Sequence, residues 1–196
     1  MKAALGPRLK ATVWVVALAN LAYFFVEFAV ARHIGSVSLL ADSIDFLEDF
    51  AVNLLIVLAL GWSLKARSFV GMAMALLLLV PGLATLWMAW SKFQTPLPPA
   101  VWPLTLAALG ALFVNLGCAA LLVRVRDTAG SLSKAAFLSA RNDALANVAI
   151  LVAAALTWLS PTAWPDLVVG VAIAAMNAGA AWEVWQAARQ EARTVA

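Results

Sequence analysis

Six long apolar stretches, separated by short polar or proline-containing segments, divide this 196-residue chain. Each stretch has at least the ~20 residues that an α-helix needs to cross a bilayer. Backbone groups inside the hydrocarbon must be hydrogen-bonded within the segment, so the stretches predict helices. We therefore predict an all-α polytopic membrane protein with six transmembrane helices. The predicted spans are residues 11–31, 39–60, 69–90, 101–123, 132–159 and 167–188.

The composition supports a membrane protein and argues against a soluble domain. The chain is 65% hydrophobic and 12% charged, whereas about a quarter of the residues in a soluble domain are charged. We expect residues 1–196 to form a single transmembrane domain with the lipid bilayer as its surroundings. The net charge of +3 comes from residues in short loops rather than from a basic patch, so no nucleic-acid partner is expected.

The basic residues predict the orientation, because lysine and arginine are enriched in cytoplasmic loops. Only Arg32 and Lys92 fall on the side opposite to the termini. Both termini are therefore predicted to be cytoplasmic, and we expect a bacterial inner membrane. The basic residues assigned to the cytoplasmic side are Lys2, Arg8, Lys10, Lys65, Arg67, Arg124, Arg126, Lys134, Arg189 and Arg193.

Carboxylic acids interrupt two of the apolar stretches. Asp45, Glu48 and Asp49 lie in the second stretch and Asp143 lies in the fifth. A charge at the bilayer centre costs at least ~2.5–3.5 kcal/mol, so such residues usually have a function. Asp45 and Asp49 are four residues apart and project from the same helix face. These acids predict a cation site within the membrane.

The depths of the acids indicate which groups meet. The second helix runs inward and the fifth runs outward. At about 1.5 Å per residue, Asp45 lies about 11 Å and Asp49 about 17 Å below the outer face. In a slab of ~30 Å, Asp143 lies about 13 Å and Ser139 about 19 Å from the same face. The two helices therefore offer four oxygen-bearing groups at two matched depths, as a small cation requires.

Two other roles for these acids stay open: a proton relay without metal, and structural pairing with a buried base. Arg141 is the candidate base, since it lies at the same depth as Glu48. Our hypothesis is that Arg141 neutralises Glu48. Asp45, Asp49 and Asp143 are then left to bind the cation.

Three segments of the sequence resemble the cation diffusion facilitator (CDF) family. They are NLAYFFVE at 20–27, SLLADSIDFLED at 38–49 and DALAN at 143–147. The resemblance implies a six-helix transmembrane domain that exports divalent transition metals in exchange for protons. It also implies a possible homodimer. Because the family's cytoplasmic C-terminal domain is not expected here, membrane packing alone would hold that dimer.

The resemblance also implies a metal-binding set. Asp45 and Asp49 match the family's pair on the second helix, and Asp143 matches the aspartate on the fifth. Ser139 occupies the position where family members have His or Asp, and Asn147 occupies one where many have Ser.

Four neighbouring residues receive other interpretations. Asn147 shares a helix face with Asp143 and could add a carbonyl ligand. Asn20 and Glu27 are interpreted as interhelical hydrogen-bond partners. Asp42 lies one turn outside Asp45, where it either lines the exit or caps the helix.

The family and the ligand chemistry point to different metals. Family membership favours zinc, with cadmium, iron, cobalt or manganese as alternatives, in each case as a transported ion and not as a cofactor. Three carboxylates and a hydroxyl form a harder donor set, which suits manganese, iron(II) or magnesium. Zinc sites more often contain histidine or cysteine.

The sequence also allows functions other than metal export. A passive cation or proton channel could use the same carboxylates, and a non-transporting partner subunit is a further alternative. An enzyme is not expected, because the sequence contains no HExxH motif and His33 is its single histidine.

Overall fold

The computed structural model describes residues 7–59, 66, 69, 82–123 and 131–195. These residues contain six continuous helices and no strand, which confirms the predicted fold class. Of the predicted third span, residues 70–81 lie outside the described residues. The helices are α1 (Pro7–Ile34), α2 (Val37–Ala59), α3 (82–94), α4 (Val101–Val123), α5 (Ser131–Leu159) and α6 (Trp164–Val195).

Three helical segments are long and apolar enough to cross a membrane by length and composition alone. They are Leu9–Ile34, Val101–Val123 and Asn142–Leu159. A shorter apolar segment covers Trp164–Gly179. Helix α2 has a comparable length of 23 residues, but four carboxylic acids lower its hydropathy. The same acids that make α2 a poor span by composition make it the helix of functional interest.

A tight turn joins α1 to α2. Gly35 adopts a positive φ of 68°, a conformation that side chains with a Cβ rarely adopt. The Ser36 N–H donates to the Ala31 carbonyl at 3.1 Å, as expected at a helix end closed by glycine. The Ser36 hydroxyl then accepts a hydrogen bond from the Leu39 N–H at 3.1 Å and caps α2. Helices α1 and α2 therefore pack directly against each other.

The large apolar side chains of the described residues often point outward. Trp102, Phe113 and Leu159 are each more than 70% exposed. Such a surface would cause a soluble protein to associate. Here it matches a lipid-facing exterior around an interior of small and polar residues.

Helix α2 lies at the centre of the bundle, where it contacts α1, α4, α5 and α6. Leu39 and Leu40 of α2 are fully buried and belong to a cluster with Leu104 of α4, Ile150 of α5 and Ile173 of α6. Any polar group on α2 therefore lies close to several other helices.

A buried carboxylate fixes the start of α2. Asp166, in the first turn of α6, is fully buried. It accepts hydrogen bonds of 2.6 Å from the hydroxyls of Ser36 and Ser38. It also accepts the backbone N–H groups of Val37, at 2.9 Å, and Ser38, at 3.2 Å. A carboxylate at a helix N-terminus satisfies free N–H groups and interacts favourably with the helix dipole.

Lys92 extends this network to α3. Its ammonium group lies 3.0 Å from Asp166 Oδ2, and the lysine is only 7% exposed. It also donates to the Gly35 carbonyl. The charges of Lys92 and Asp166 compensate each other, and the pair connects the α1–α2 turn to α3 and α6.

Close packing of α6 on α2 depends on Gly170. A Cβ atom on Gly170 would lie 2.6 Å from both the Ser38 nitrogen and the Val37 carbonyl carbon, which are backbone atoms. We expect Gly170→Ala to lower the free energy of unfolding by about 1–3 kcal/mol, because the helices would have to separate. Thermal unfolding in detergent would measure this loss. Gly179→Ala, on the same helix with nothing within 4 Å of the new Cβ, is the matched control. Equal stability of the two variants would contradict the prediction.

Candidate metal centre

Acids from two helices approach each other at the centre of the bundle. Asp45 of α2 is partly buried. Its carboxyl group interacts electrostatically with Asp42, Glu48 and Asp49 on the same helix and with Asp143 on α5. Helices α2 and α5 are in direct contact. The structure therefore brings together three of the residues predicted as ligands, namely Asp45, Asp49 and Asp143.

Helices α1 and α4 form the remaining sides of this cluster. The side-chain amide of Asn20 on α1 lies 3.5 Å from Asp49 Oδ2, and Asn20 is fully buried. The Cys118 thiol of α4 lies 3.9 Å from Asn20 Oδ1. Cys118 also lies near enough to Asp49 and Asp143 to interact with both electrostatically. Asn20 therefore forms the interhelical hydrogen bond that its sequence position predicts.

Asn147 lies beside Asp42. Its Nδ2 donates to both oxygens of Asp42, at 3.1 and 3.0 Å, and to the backbone carbonyl of Asp143 at 2.8 Å. Its Oδ1 is buried and accepts no hydrogen bond. The amide is thus oriented by α2 and α5 together, with its carbonyl oxygen available as a ligand.

Glu27 of α1 lies beside the carboxyl group of Asp42 on α2, so its side chain meets a polar group of the neighbouring helix, as the sequence predicts. Both of its carboxyl oxygens are buried, and no N–H or O–H group of the described residues donates to them. Both groups are acceptors when ionised, so neither satisfies the other.

Two predicted interactions involve side chains outside the described residues. Ser139 and Arg141 belong to α5, but their side chains lie outside the described residues. Glu48 is partly buried and interacts electrostatically with Asp45 and Asp49. Pairing of Arg141 with Glu48, and ligation by Ser139, therefore stay predictions.

The acids are gathered but do not form a closed ligand shell. In the part of the chain that the structure describes, no three His, Cys, Asp or Glu side chains are close enough to hold a metal ion. The groups that interact electrostatically with Asp45 are nevertheless carboxylates, whose oxygens suit a hard divalent cation. An ion entering between α2 and α5 would draw the carboxylates closer, since they repel one another when ionised and ion-free.

The sequence alone indicates no site role for two residues that fix the start of α2. Lys92 is predicted only as a charge on the outer side, and Asp166 has no predicted role. The sequence feature that could have indicated Asp166 is the Pro165-Asp166 pair at the start of an apolar run. Proline and an acid in the first turn are typical of a helix N-terminus. This feature does not indicate that Asp166 contacts the start of α2.

Comparison with known proteins identifies the family. A family model described as the cation efflux transmembrane domain matches residues 13–190. The chain belongs to the cation efflux family. This match confirms the CDF resemblance, and it includes Asp45, Asp49 and Asp143. No curated protein matches the chain. Cation efflux proteins are membrane transporters of cations, so the gathered acids of α2 and α5 lie in a domain of the appropriate class.

Proposed function

We propose that this chain is a secondary active transporter that exports divalent transition metal cations from the cytoplasm in exchange for protons. Zinc is the favoured substrate, with cadmium, iron, cobalt or manganese as alternatives. The observation that carries the proposal is the approach of Asp45 on α2 to Asp143 on α5. Both termini are proposed to be cytoplasmic, on the distribution of lysine and arginine.

The exchange with protons follows from the chemistry of the ligands. A carboxylate must be deprotonated to bind a metal ion, so metal and proton occupancy exclude each other. Several ionised carboxylates close together inside a membrane are unfavourable without a counter-charge. The centre is therefore neutralised either by a metal ion or by protons. If it opens alternately to each side, export of a metal ion is coupled to import of protons.

A flux assay tests this proposal directly. Purified protein would be placed in sealed proteoliposomes and offered a panel of divalent metals, with internal metal and internal pH recorded together. Coupled transport gives metal flux and opposite proton flux, and an imposed pH gradient drives metal uphill.

The rival functions give different results in the same vesicles. A passive channel would carry metal or protons down their gradients without coupling. A non-transporting partner subunit would give no flux above that of empty vesicles. Either result would contradict the proposed antiport.

The choice of metal depends on Ser139 if this residue is a ligand. We expect Ser139→His to raise the preference for zinc over manganese by about tenfold, equivalent to ~1.4 kcal/mol, because imidazole is a softer ligand than a hydroxyl. Competition between the two metals in the flux assay would measure it. Ser133→His, earlier on α5, is the control. An unchanged preference in Ser139→His would mean that Ser139 is not a ligand.

A further inference from the structure

Two buried carboxyl groups are neighbours across the α1–α2 interface, and one of them, that of Glu27, receives no hydrogen bond. Glu27 of α1 and Asp42 of α2 are both fully buried. Their carboxyl groups are direct neighbours. Both oxygens of Glu27 lack a hydrogen-bond partner. Buried polar groups are nearly always hydrogen-bonded, so an orphaned carboxylate needs an explanation.

Asn147 of α5 is the third side chain beside Asp42. Its Nδ2 donates to both oxygens of Asp42, and its own Oδ1 is buried without a hydrogen-bond partner. Two oxygens of Glu27 and one of Asn147 therefore lack a hydrogen-bond donor, and both side chains adjoin Asp42.

The neighbouring hydroxyl does not fill this role. Tyr23 lies near enough to Glu27 and Asp42 to interact with both. Its hydroxyl, however, donates to the carbonyl of Ala107 at 2.6 Å. A phenol has one proton to donate, so Tyr23 has none for Glu27.

We propose that Glu27, Asp42 and Asn147 form a second divalent-cation site, separate from the centre around Asp45. Two carboxylates supply the charge that a divalent ion requires, and Asn147 adds a neutral oxygen. A donor set made only of oxygens suits a hard cation such as Mn²⁺. The ion would give the orphaned oxygens of Glu27 the partner that the surrounding side chains do not provide.

The position of this site suggests its role in transport. Asp42 precedes Asp45 by three residues, so it lies about 4.5 Å nearer the Val37 end of α2. An ion leaving the Asp45 centre towards that end meets Glu27 and Asp42 next. This role as an exit site rests on the proposed transport function, whereas the binding itself does not.

Counting bound ions tests the site. Purified full-length protein in detergent would be titrated with Mn²⁺, and free Mn²⁺ would be measured by electron paramagnetic resonance. We expect two ions per wild-type chain and one per Glu27→Gln chain. The double variant Asp45→Ala/Asp49→Ala is also expected to bind one ion, at the second site. Thr157→Val is the matched control, because the Thr157 hydroxyl is also a buried polar group without a hydrogen-bond partner. This variant is expected to bind two ions.

Fewer than two ions per wild-type chain would overturn the second site, as would two ions on Glu27→Gln. Asp42→Asn is the second variant, in case Glu27→Gln does not fold, and is also expected to bind one. Thermal unfolding adds an independent readout: Mn²⁺ raises the wild-type midpoint more than that of Glu27→Gln. Coupled flux with a single bound ion would overturn this site alone. Two bound ions without coupled flux would overturn the transport proposal alone.

Discussion

Asp45→Ala and Asp49→Ala are each expected to abolish metal-driven proton flux in proteoliposomes. Each substitution removes a carboxylate from the place where α2 approaches α5. The remaining acids neither bind the metal tightly nor exchange the same number of protons. Loss of residues that merely support metal ligands costs about 10–100-fold, so loss of a ligand is expected to exceed about 100-fold.

The control for this experiment is Ser43→Ala. Ser43 is buried on α2 between Asp42 and Asp45 in sequence, and its hydroxyl donates to the Leu40 carbonyl at 2.7 Å. We expect wild-type flux from this variant, because its hydroxyl bonds to its own helix and not to the acids. Wild-type rates in both Asp45→Ala and Asp49→Ala would remove these residues from the proposed site.

The helices were predictable because their cause is local. Long apolar runs, ended by proline, glycine and charged residues, determine where a chain can cross a lipid bilayer. The apolar run 101–123 and helix α4, Val101–Val123, have the same bounds. At the ends of α1 and α6 the helices continue past the apolar runs. Hydropathy marks the lipid-facing length of a helix, whereas backbone hydrogen bonds extend it into polar sequence.

The side-chain partners were less predictable, because they depend on rotation and tilt of the helices. The sequence places Asp45 and Asp143 at similar depths, and the structure brings them together. The sequence does not indicate that the Asn147 amide turns towards Asp42. The lack of a hydrogen-bond donor for the Glu27 oxygens was also not predictable. A hydrophobic pattern gives a helix its buried face but does not select one polar neighbour among several.

The long-range network around Asp166 illustrates the same limit. Asp166 accepts hydrogen bonds from the hydroxyls of Ser36 and Ser38, which lie more than a hundred residues away in the sequence. Its effect on the metal centre is indirect: it fixes the N-terminus of α2, and the acids follow on the same rigid helix. The residues that fix the start of α2 therefore differ from the proposed metal ligands, and the two sets can be altered separately.

We expect Asp166→Ala to destabilise the protein strongly, by about 3–5 kcal/mol, because it leaves the buried ammonium of Lys92 without its counter-charge. It also removes the acceptor for two hydroxyls and two backbone N–H groups at the start of α2. Thermal unfolding in detergent, without added metal, measures the change. Asp45→Ala, which removes an acid whose neighbours among the described residues are other carboxylates, is expected to leave the unfolding midpoint unchanged or raised.

The double variant Lys92→Met/Asp166→Leu distinguishes the loss of the Lys92–Asp166 charge pair from other destabilising effects of substituting Asp166. Removing both charges leaves no buried ion uncompensated, so it is expected to be more stable than Asp166→Ala alone. An exposed ion pair would contribute only about 0–1 kcal/mol. A loss in that range for Asp166→Ala, or a double variant less stable than the single one, would contradict the role assigned to the pair. In the expected outcome, the start of α2 is held by a charge pair that takes no part in binding the transported ion.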